Sequence, residues 1–231
     1  MRQRGNILFL ILLAVVLFAA LSYAVTRNER GQVKDVSKER AETIASQLIQ
    51  NAGLIENTIM RGMTVGGIPD YGFDLSGTYT TSAPNNTCTS TACRVFSDKG
   101  GPVPSMVLPA WASEFGTDIN MQFYMVTIVN VGTDLPDLVM MYRGAKQEVC
   151  DAYNRLSSAS ELDGVSKLES WGWLSNNSGL AWYTGTLTAM PSGYSTLGDS
   201  YAALKGKRSF CFYHNGAPSE GHVLIYVLMA R

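Results

Sequence analysis

The strongest pattern in the chain is an uncharged apolar run from Ile7 to Val25. As a helix this run would span ~29 Å, close to the ~30 Å hydrocarbon core of a bilayer. Arg2 and Arg4 precede it, and positive charge tends to stay on the cytoplasmic side of a membrane. The pattern therefore predicts a membrane-inserting helix, with the rest of the chain facing outward.

A second apolar pattern, with the period of a helix, follows this run. Its members recur at steps of three to five residues and are Val33, Val36, Ala41, Ile44, Leu48, Ala52, Ile55 and Ile59. Such a stripe is typical of a helix that lies on a domain core. We therefore predict one helix from Ile7 to Met60, ~80 Å long, whose first part is lipid-facing or buried in an assembly. Its second part would pack on a globular domain.

The remaining segments alternate between irregular and regular patterns. Residues 62–102 are rich in turn-forming residues and predict a looped segment with one short strand near Thr78–Thr81. Residues Met121–Val131 and Asp137–Tyr142 predict a hairpin, and Ala145–Ser157 predicts a helix. The apolar stretches Arg208–His214 and His222–Ala230 predict a terminal hairpin, while Leu180–Met190 alternates only weakly.

These elements together predict an α+β fold. A long N-terminal helix, transmembrane and then amphipathic, would pack on an antiparallel sheet head domain stapled by disulfides. The corresponding domain division is a leader at residues 1–5, a helix at 6–60 with its membrane or assembly segment at 7–25, and a head domain at 61–231.

Four cysteines follow the apolar run, at Cys88, Cys93, Cys150 and Cys211. An even number behind a membrane anchor indicates two disulfides in an oxidising compartment, with three possible connectivities. We favour Cys88–Cys93 and Cys150–Cys211, because the first pair is close enough to close a single loop. Four reduced, buried thiols are the alternative.

The composition argues against nucleic-acid binding, and the sequence contains few candidate catalytic or metal-binding residues. Charged residues make up only 16% of the chain and the net charge is −1, without the clustered basic face that is typical of nucleic-acid binding. His214 and His222, even with Glu220, are too few ligands for a predicted metal site. No nucleophile elbow or nucleotide-binding motif occurs.

Four carboxylates could in principle form a catalytic pair, but surface charge explains them more simply; they are Asp70, Asp74, Asp98 and Glu114. We therefore predict no cofactor and no enzymatic activity.

Aromatic residues suggest a second class of function. Trp171, Trp173, Trp182 and Tyr183 form an aromatic-rich stretch that could bind sugars or partner proteins, although core packing explains such residues more simply. Asn85-Asn86-Thr87 and Asn176-Asn177-Ser178 also fit the glycan-acceptor pattern. A membrane-anchored or secreted binding domain is thus the alternative interpretation.

The N-terminus resembles the type IV pilin and pseudopilin superfamily. The residues that carry the resemblance are the basic leader Met1-Arg2-Gln3-Arg4-Gly5 and the run that follows it, Asn6-Ile7-Leu8-Phe9-Leu10-Ile11-Leu12-Leu13. The resemblance implies cleavage after Gly5 by a leader peptidase, which would make Asn6 the new N-terminus. It also implies burial of the apolar helix, including Phe18, among other pilin-like subunits. The chain would then pass from the inner membrane to a surface pilus or periplasmic pseudopilus, aided by an assembly machinery.

Two positions depart from the family pattern. Asn6 stands where the family usually has an aromatic residue, and Leu10 stands where it usually has a glutamate that neutralises the N-terminus of the neighbouring subunit. Because an unpaired charge in an apolar core is costly, that glutamate would matter for docking. Its absence points to a minor or tip subunit, or else to a divergent branch that docks by apolar packing alone. Two alternatives stay open: a secretory signal cleaved at Ser22-Tyr23-Ala24, and a plain single-pass anchor.

Overall fold

The described part of the chain is built on one long helix and a mixed sheet. The computed structural model describes residues 6–157, 159, 168–169, 181–183, 196–197, 202–215 and 221–231. Helix α1 spans Asn6–Thr64. The chain divides into two compact units, Met1–Arg40 and Ala41–Arg231, so α1 contributes residues to both.

Within the larger unit, the apolar stripe of α1 is a core element. Its buried members are Ala41, Ile44, Leu48, Ala52, Ile55 and Ile59. They join one hydrophobic cluster with residues of the sheet and of the second helix. Polar contacts add to this packing, because Glu56 accepts hydrogen bonds from Arg208 (2.8 Å) and from the Tyr226 hydroxyl (2.8 Å). The predicted core face is confirmed for these six residues, while the side chains of Val33 and Val36 lie outside the described ones.

Six strands and a second α-helix follow α1 within the described residues. They are β1 (Gln122–Val126), β2 (Asp137–Ala145), α2 (Gln147–Leu156), β3 (Leu168–Glu169), β4 (Ala181–Trp182), β5 (Ser209–Asn215) and β6 (Gly221–Met229). The strand order across the sheet is β3-β5-β6-β2-β1-β4. The predicted β1–β2 and β5–β6 hairpins and the predicted α2 helix are confirmed, within a few residues at their ends.

The central strands are apolar at nearly every position because both faces of the sheet are covered. Met140 of β2 belongs to the cluster that contains the α1 stripe, whereas its neighbour Met141 belongs to a second cluster on the other face. In β6, Leu224 and Ile225 divide in the same way. Strands that are buried on both faces form continuous hydrophobic runs, which explains the unbroken apolar patterns in the sequence.

The predicted fold class is wrong in two respects. First, no helix within the described ranges is both long and apolar enough to cross a membrane. Second, the sheet is mixed, because β3 pairs with β5 in the parallel sense. Helix α2 carries the chain between β2 and β3, and a helical crossover delivers the next strand in the same direction as the strand before it.

The segment before β1 lacks a strand but is held by specific contacts. It contains short 3-10 turns at Thr91–Cys93, Ser97–Lys99 and Ala110–Ala112. The strand predicted near Thr78–Thr81 is reduced to an isolated bridge between Thr80 and Met121. The irregular character predicted for this segment is therefore confirmed, and its single strand is not.

A buried carboxylate joins three segments at one end of the sheet. Asp137, at the start of β2, is fully buried. Its Oδ1 accepts the backbone N–H of Arg231 (3.0 Å) and its Oδ2 accepts that of Ile128 (3.4 Å). Burial raises the pKa of this carboxyl to about 6, against the lowering effect of these hydrogen bonds and of the Arg208 and Arg231 guanidinium groups.

This raised pKa predicts a pH dependence of stability. The folded protein binds the Asp137 proton more tightly than the unfolded chain, so the stabilisation is present below the unfolded pKa of 3.8 and is lost as pH rises through about 6. The free energy of unfolding of the wild type relative to Asp137→Asn should therefore fall by about 2 kcal/mol between about pH 4 and about pH 7. Urea unfolding of both proteins at the two pH values measures this difference, and a constant or rising difference would contradict it.

Candidate functional site

The described side chains at the start of α1 are apolar and exposed. Phe9 is 64% exposed, and Phe18 is 76% exposed, the largest value among the apolar side chains of this segment. The other large apolar side chains that lie exposed between Phe9 and Tyr23 are Ile11, Leu12, Leu13, Val15, Val16, Leu17 and Leu21. These residues belong to the unit Met1–Arg40, of which only the helix is described.

The exposed residues surround the helix rather than forming one stripe. Ile11–Leu13 and Val15–Phe18 are consecutive, and consecutive residues in a helix point about 100° apart. A helix that packs on a single partner needs one apolar face only. A helix that is apolar on every side is normally surrounded by other apolar groups. The segment therefore presents an apolar surface on every side.

The predicted processing and docking residues are described only in part. Gly5 lies outside the described residues, and α1 begins at Asn6, the residue that follows it. Ile7, Leu8 and Leu10 are helical, but the exposure of their side chains is not described.

Both favoured disulfides are present. Cys88–Cys93 has a Cα–Cα distance of 5.7 Å, and Cys150–Cys211 has one of 5.3 Å. The second bond joins α2 to β5, as predicted. The first closes a short loop within the irregular segment.

An asparagine that the sequence patterns do not single out reinforces the second disulfide. Asn154 lies one helical turn after Cys150 and is buried. Its Nδ2 donates to the backbone carbonyl of Cys211 (2.9 Å), and its Oδ1 accepts the backbone N–H of the same residue (2.7 Å). The side chain thus supplies the two hydrogen bonds that a neighbouring strand would make with β5, and protects that part of the strand edge.

The predicted aromatic patch is not assembled by the described residues. Trp171 and Trp173 lie outside them, and of Trp182 only its place in β4 is described. Tyr183 is 4% exposed, and its hydroxyl donates to the carbonyl of Asp70 (3.1 Å). Tyr183 is therefore a core residue rather than part of a surface patch.

The two histidines lie on the two strands of the terminal hairpin but are not direct partners. The β5–β6 register pairs His222 with Tyr213 and His214 with Gly221. His222 Nδ1 lies 2.5 Å from Glu114 Oε1, and Glu220 is outside the described residues. No group of three or more metal-ligating side chains occurs among the residues that are described.

The structure does not bring the candidate carboxylates together as a pair. Asp70 forms an ion pair with Arg231 (2.9 Å), and Glu114 contacts His222. Asp98 accepts hydrogen bonds from the backbone N–H and the hydroxyl of Thr78. Asp74 is buried and accepts the backbone N–H of Ser76 (3.0 Å). Each of these four groups thus has a structural partner.

The possible glycan acceptor Asn85 is also a structural residue. It is 6% exposed. Its Nδ2 donates to the carbonyls of Tyr71 and Phe73, and its Oδ1 accepts hydrogen bonds from the backbone and the hydroxyl of Thr87. A glycan would be attached to Asn85 Nδ2, and in the folded protein this nitrogen is buried and already donates two hydrogen bonds. The second acceptor pattern, at Asn176, lies outside the described residues.

Comparisons of the chain with protein-family models, with curated proteins and with solved structures found no match. The resemblance to type IV pilins therefore stays a prediction that rests on residues 1–13 and on the pattern of the N-terminal helix.

Proposed function

We propose that this protein is a structural subunit that assembles, through the first part of α1, with copies of itself or with related subunits. The observation that carries the proposal is the apolar surface on every side of the helix between Phe9 and Tyr23. Fully burying one large aliphatic or aromatic side chain is worth about 1.5–3 kcal/mol, so this segment offers a large driving force for association.

The disulfide-bonded domain supports an extracytoplasmic role for the subunit. Two disulfides are present, and disulfides persist mainly in oxidising compartments. We propose that this domain provides the exposed surface of the assembled particle. The role is structural and needs no cofactor.

The pilin-like features suggest how the subunit would enter the assembly. Removal of the leader after Gly5 would leave the new N-terminus at Asn6, the first residue of α1. Leu10 offers no carboxylate to a neighbouring N-terminus, which favours a minor or tip position. A leader peptidase and an assembly machinery are the partners that this route requires.

A charge placed in the apolar segment should abolish assembly. In the proposed interior, Phe18→Glu buries a carboxylate without a partner, which costs several kcal/mol and should weaken association by at least about 100-fold. Sedimentation velocity of the full chain should therefore show large particles for the wild type and monomers for the variant.

Gln47→Glu is the matched control, because it adds the same charge at an exposed position of the same helix. It should leave the particle size unchanged. The proposal is wrong if the wild type is monomeric, or if Phe18→Glu assembles as the wild type does.

A further inference from the structure

A cleft in the irregular segment has the composition of a ligand site. It measures about 360 Å³ and lies between the turn at residues 67–72 and the loop that the Cys88–Cys93 disulfide closes. Its lining includes Tyr71, Gly67, Gly72, Thr87, Thr89 and Ser90. All the residues that line the cleft belong to the described part of the chain, and none of them carries a charge.

The walls of the cleft are held in place before any ligand arrives. Asn85, buried beneath them, donates to the carbonyl of Tyr71 on one wall (2.9 Å). The same side chain accepts the backbone N–H (3.0 Å) and the hydroxyl (2.8 Å) of Thr87 on the other wall. These bonds tie the two walls together, and the Cys88–Cys93 disulfide closes the loop that forms the second wall. A pre-organised site loses little conformational entropy on binding.

The lining offers one aromatic side chain and several hydroxyl groups. Tyr71 is 46% exposed, so part of its ring is open to a ligand. Thr89 and Ser90 are exposed and carry hydroxyls that both donate and accept hydrogen bonds. At Gly67, the space that a Cβ would occupy is open, with no atom within 4 Å. The backbone of Gly67 is therefore not covered by neighbouring atoms on that side.

The aromatic ring, the hydroxyl groups and the lack of charge in the lining indicate which chemical class of ligand would fit the cleft. A neutral sugar ring has a C–H face that packs on an aromatic ring, and hydroxyls that exchange hydrogen bonds with threonine, serine and backbone groups. An anionic ligand would find no cationic side chain in the lining. We propose that this cleft binds a neutral saccharide. The lining contains no residue of the exposed segment between Phe9 and Tyr23 and none of the four residues of the aromatic-rich stretch. The proposal does not depend on the proposed assembly.

Saturation-transfer difference NMR of the full chain tests the proposal, since this method also works on large particles. The probes are D-galactose, D-mannose and N-acetyl-D-glucosamine. At least one should bind, with a dissociation constant of about 1 mM or weaker, because the cleft is shallow. Tyr71→Ala should weaken that binding at least about tenfold, whereas Tyr71→Phe, which keeps the ring, should retain it.

Tyr79→Ala is the matched control. Tyr79 belongs to the same irregular segment and is 44% exposed, but it does not line the cleft. This variant should bind the sugar as the wild type does. The proposal is overturned if none of the three sugars binds to the wild type, if Tyr71→Ala keeps full affinity, or if Tyr79→Ala loses as much affinity as Tyr71→Ala.

Discussion

Removal of the Cys150–Cys211 disulfide, by replacing both cysteines with alanine, should lower the free energy of unfolding by about 4 kcal/mol. The two cysteines are 61 residues apart, so the bond restricts a long stretch of the unfolded chain. In the folded state it joins α2 to β5, and Cys211 is completely buried. Urea unfolding monitored by circular dichroism gives the free energies of the two proteins.

The other disulfide provides the control for this prediction. Cys88 and Cys93 are only 5 residues apart, so replacing both with alanine should cost about 2 kcal/mol in the same chain-entropy description. The critical comparison is which disulfide, when removed, lowers the free energy of unfolding more. A larger loss for the Cys88–Cys93 pair would contradict the view that Cys150–Cys211 is the main covalent brace of the domain.

Asn154→Ala should be nearly as destabilising, lowering the free energy of unfolding by about 3–4 kcal/mol. The substitution leaves the backbone N–H and the carbonyl of Cys211 without their side-chain partners, and each unsatisfied buried polar group costs about 1–3 kcal/mol. The loss should appear even with the disulfide intact, because the hydrogen bonds satisfy the backbone whereas the disulfide joins the side chains. Chemical denaturation under non-reducing conditions measures it.

Asn57→Ala is the matched control for Asn154→Ala. Asn57 is an exposed asparagine of α1, so its replacement should change stability by less than about 0.5 kcal/mol. Equal losses at the two positions would contradict the role assigned to the contacts with Cys211, because helix propensity alone favours alanine over asparagine at both.

The regular elements could be predicted because their patterns depend on few neighbours. The α1 stripe marks core positions such as Ile44, Leu48 and Ile55 in the sequence itself, since a helix that packs on one side repeats every three to four residues. The β1–β2 and β5–β6 hairpins followed from apolar runs separated by short polar segments. The short sequence separation of Cys88 and Cys93 likewise favoured the observed pairing of all four cysteines.

The features that sequence reasoning missed depend on contacts between distant residues. Nothing local marks Asn154 as a partner of Cys211, or Asp137 as a partner of Arg231. The parallel pairing of β3 with β5 depends on where α2 carries the chain. Tyr183 is aromatic and follows a tryptophan, which suggested a surface patch, yet its side chain is in the core. One weak signal was present, since Asn154 follows Cys150 by four residues and so shares its face of α2.

The proposed assembly requires that the first part of α1 is buried in the native particle. All of its described apolar side chains are exposed in the single chain, and the proposal places them among helices of neighbouring subunits. The direct measurement is the rate of maleimide labelling of the Phe18→Cys variant in detergent-free particles of the full chain, compared with that of Gln47→Cys. Burial among neighbouring helices predicts that the thiol introduced at position 18 is protected, while the thiol introduced at position 47 reacts readily. Equal labelling rates at the two positions would contradict the proposed assembly.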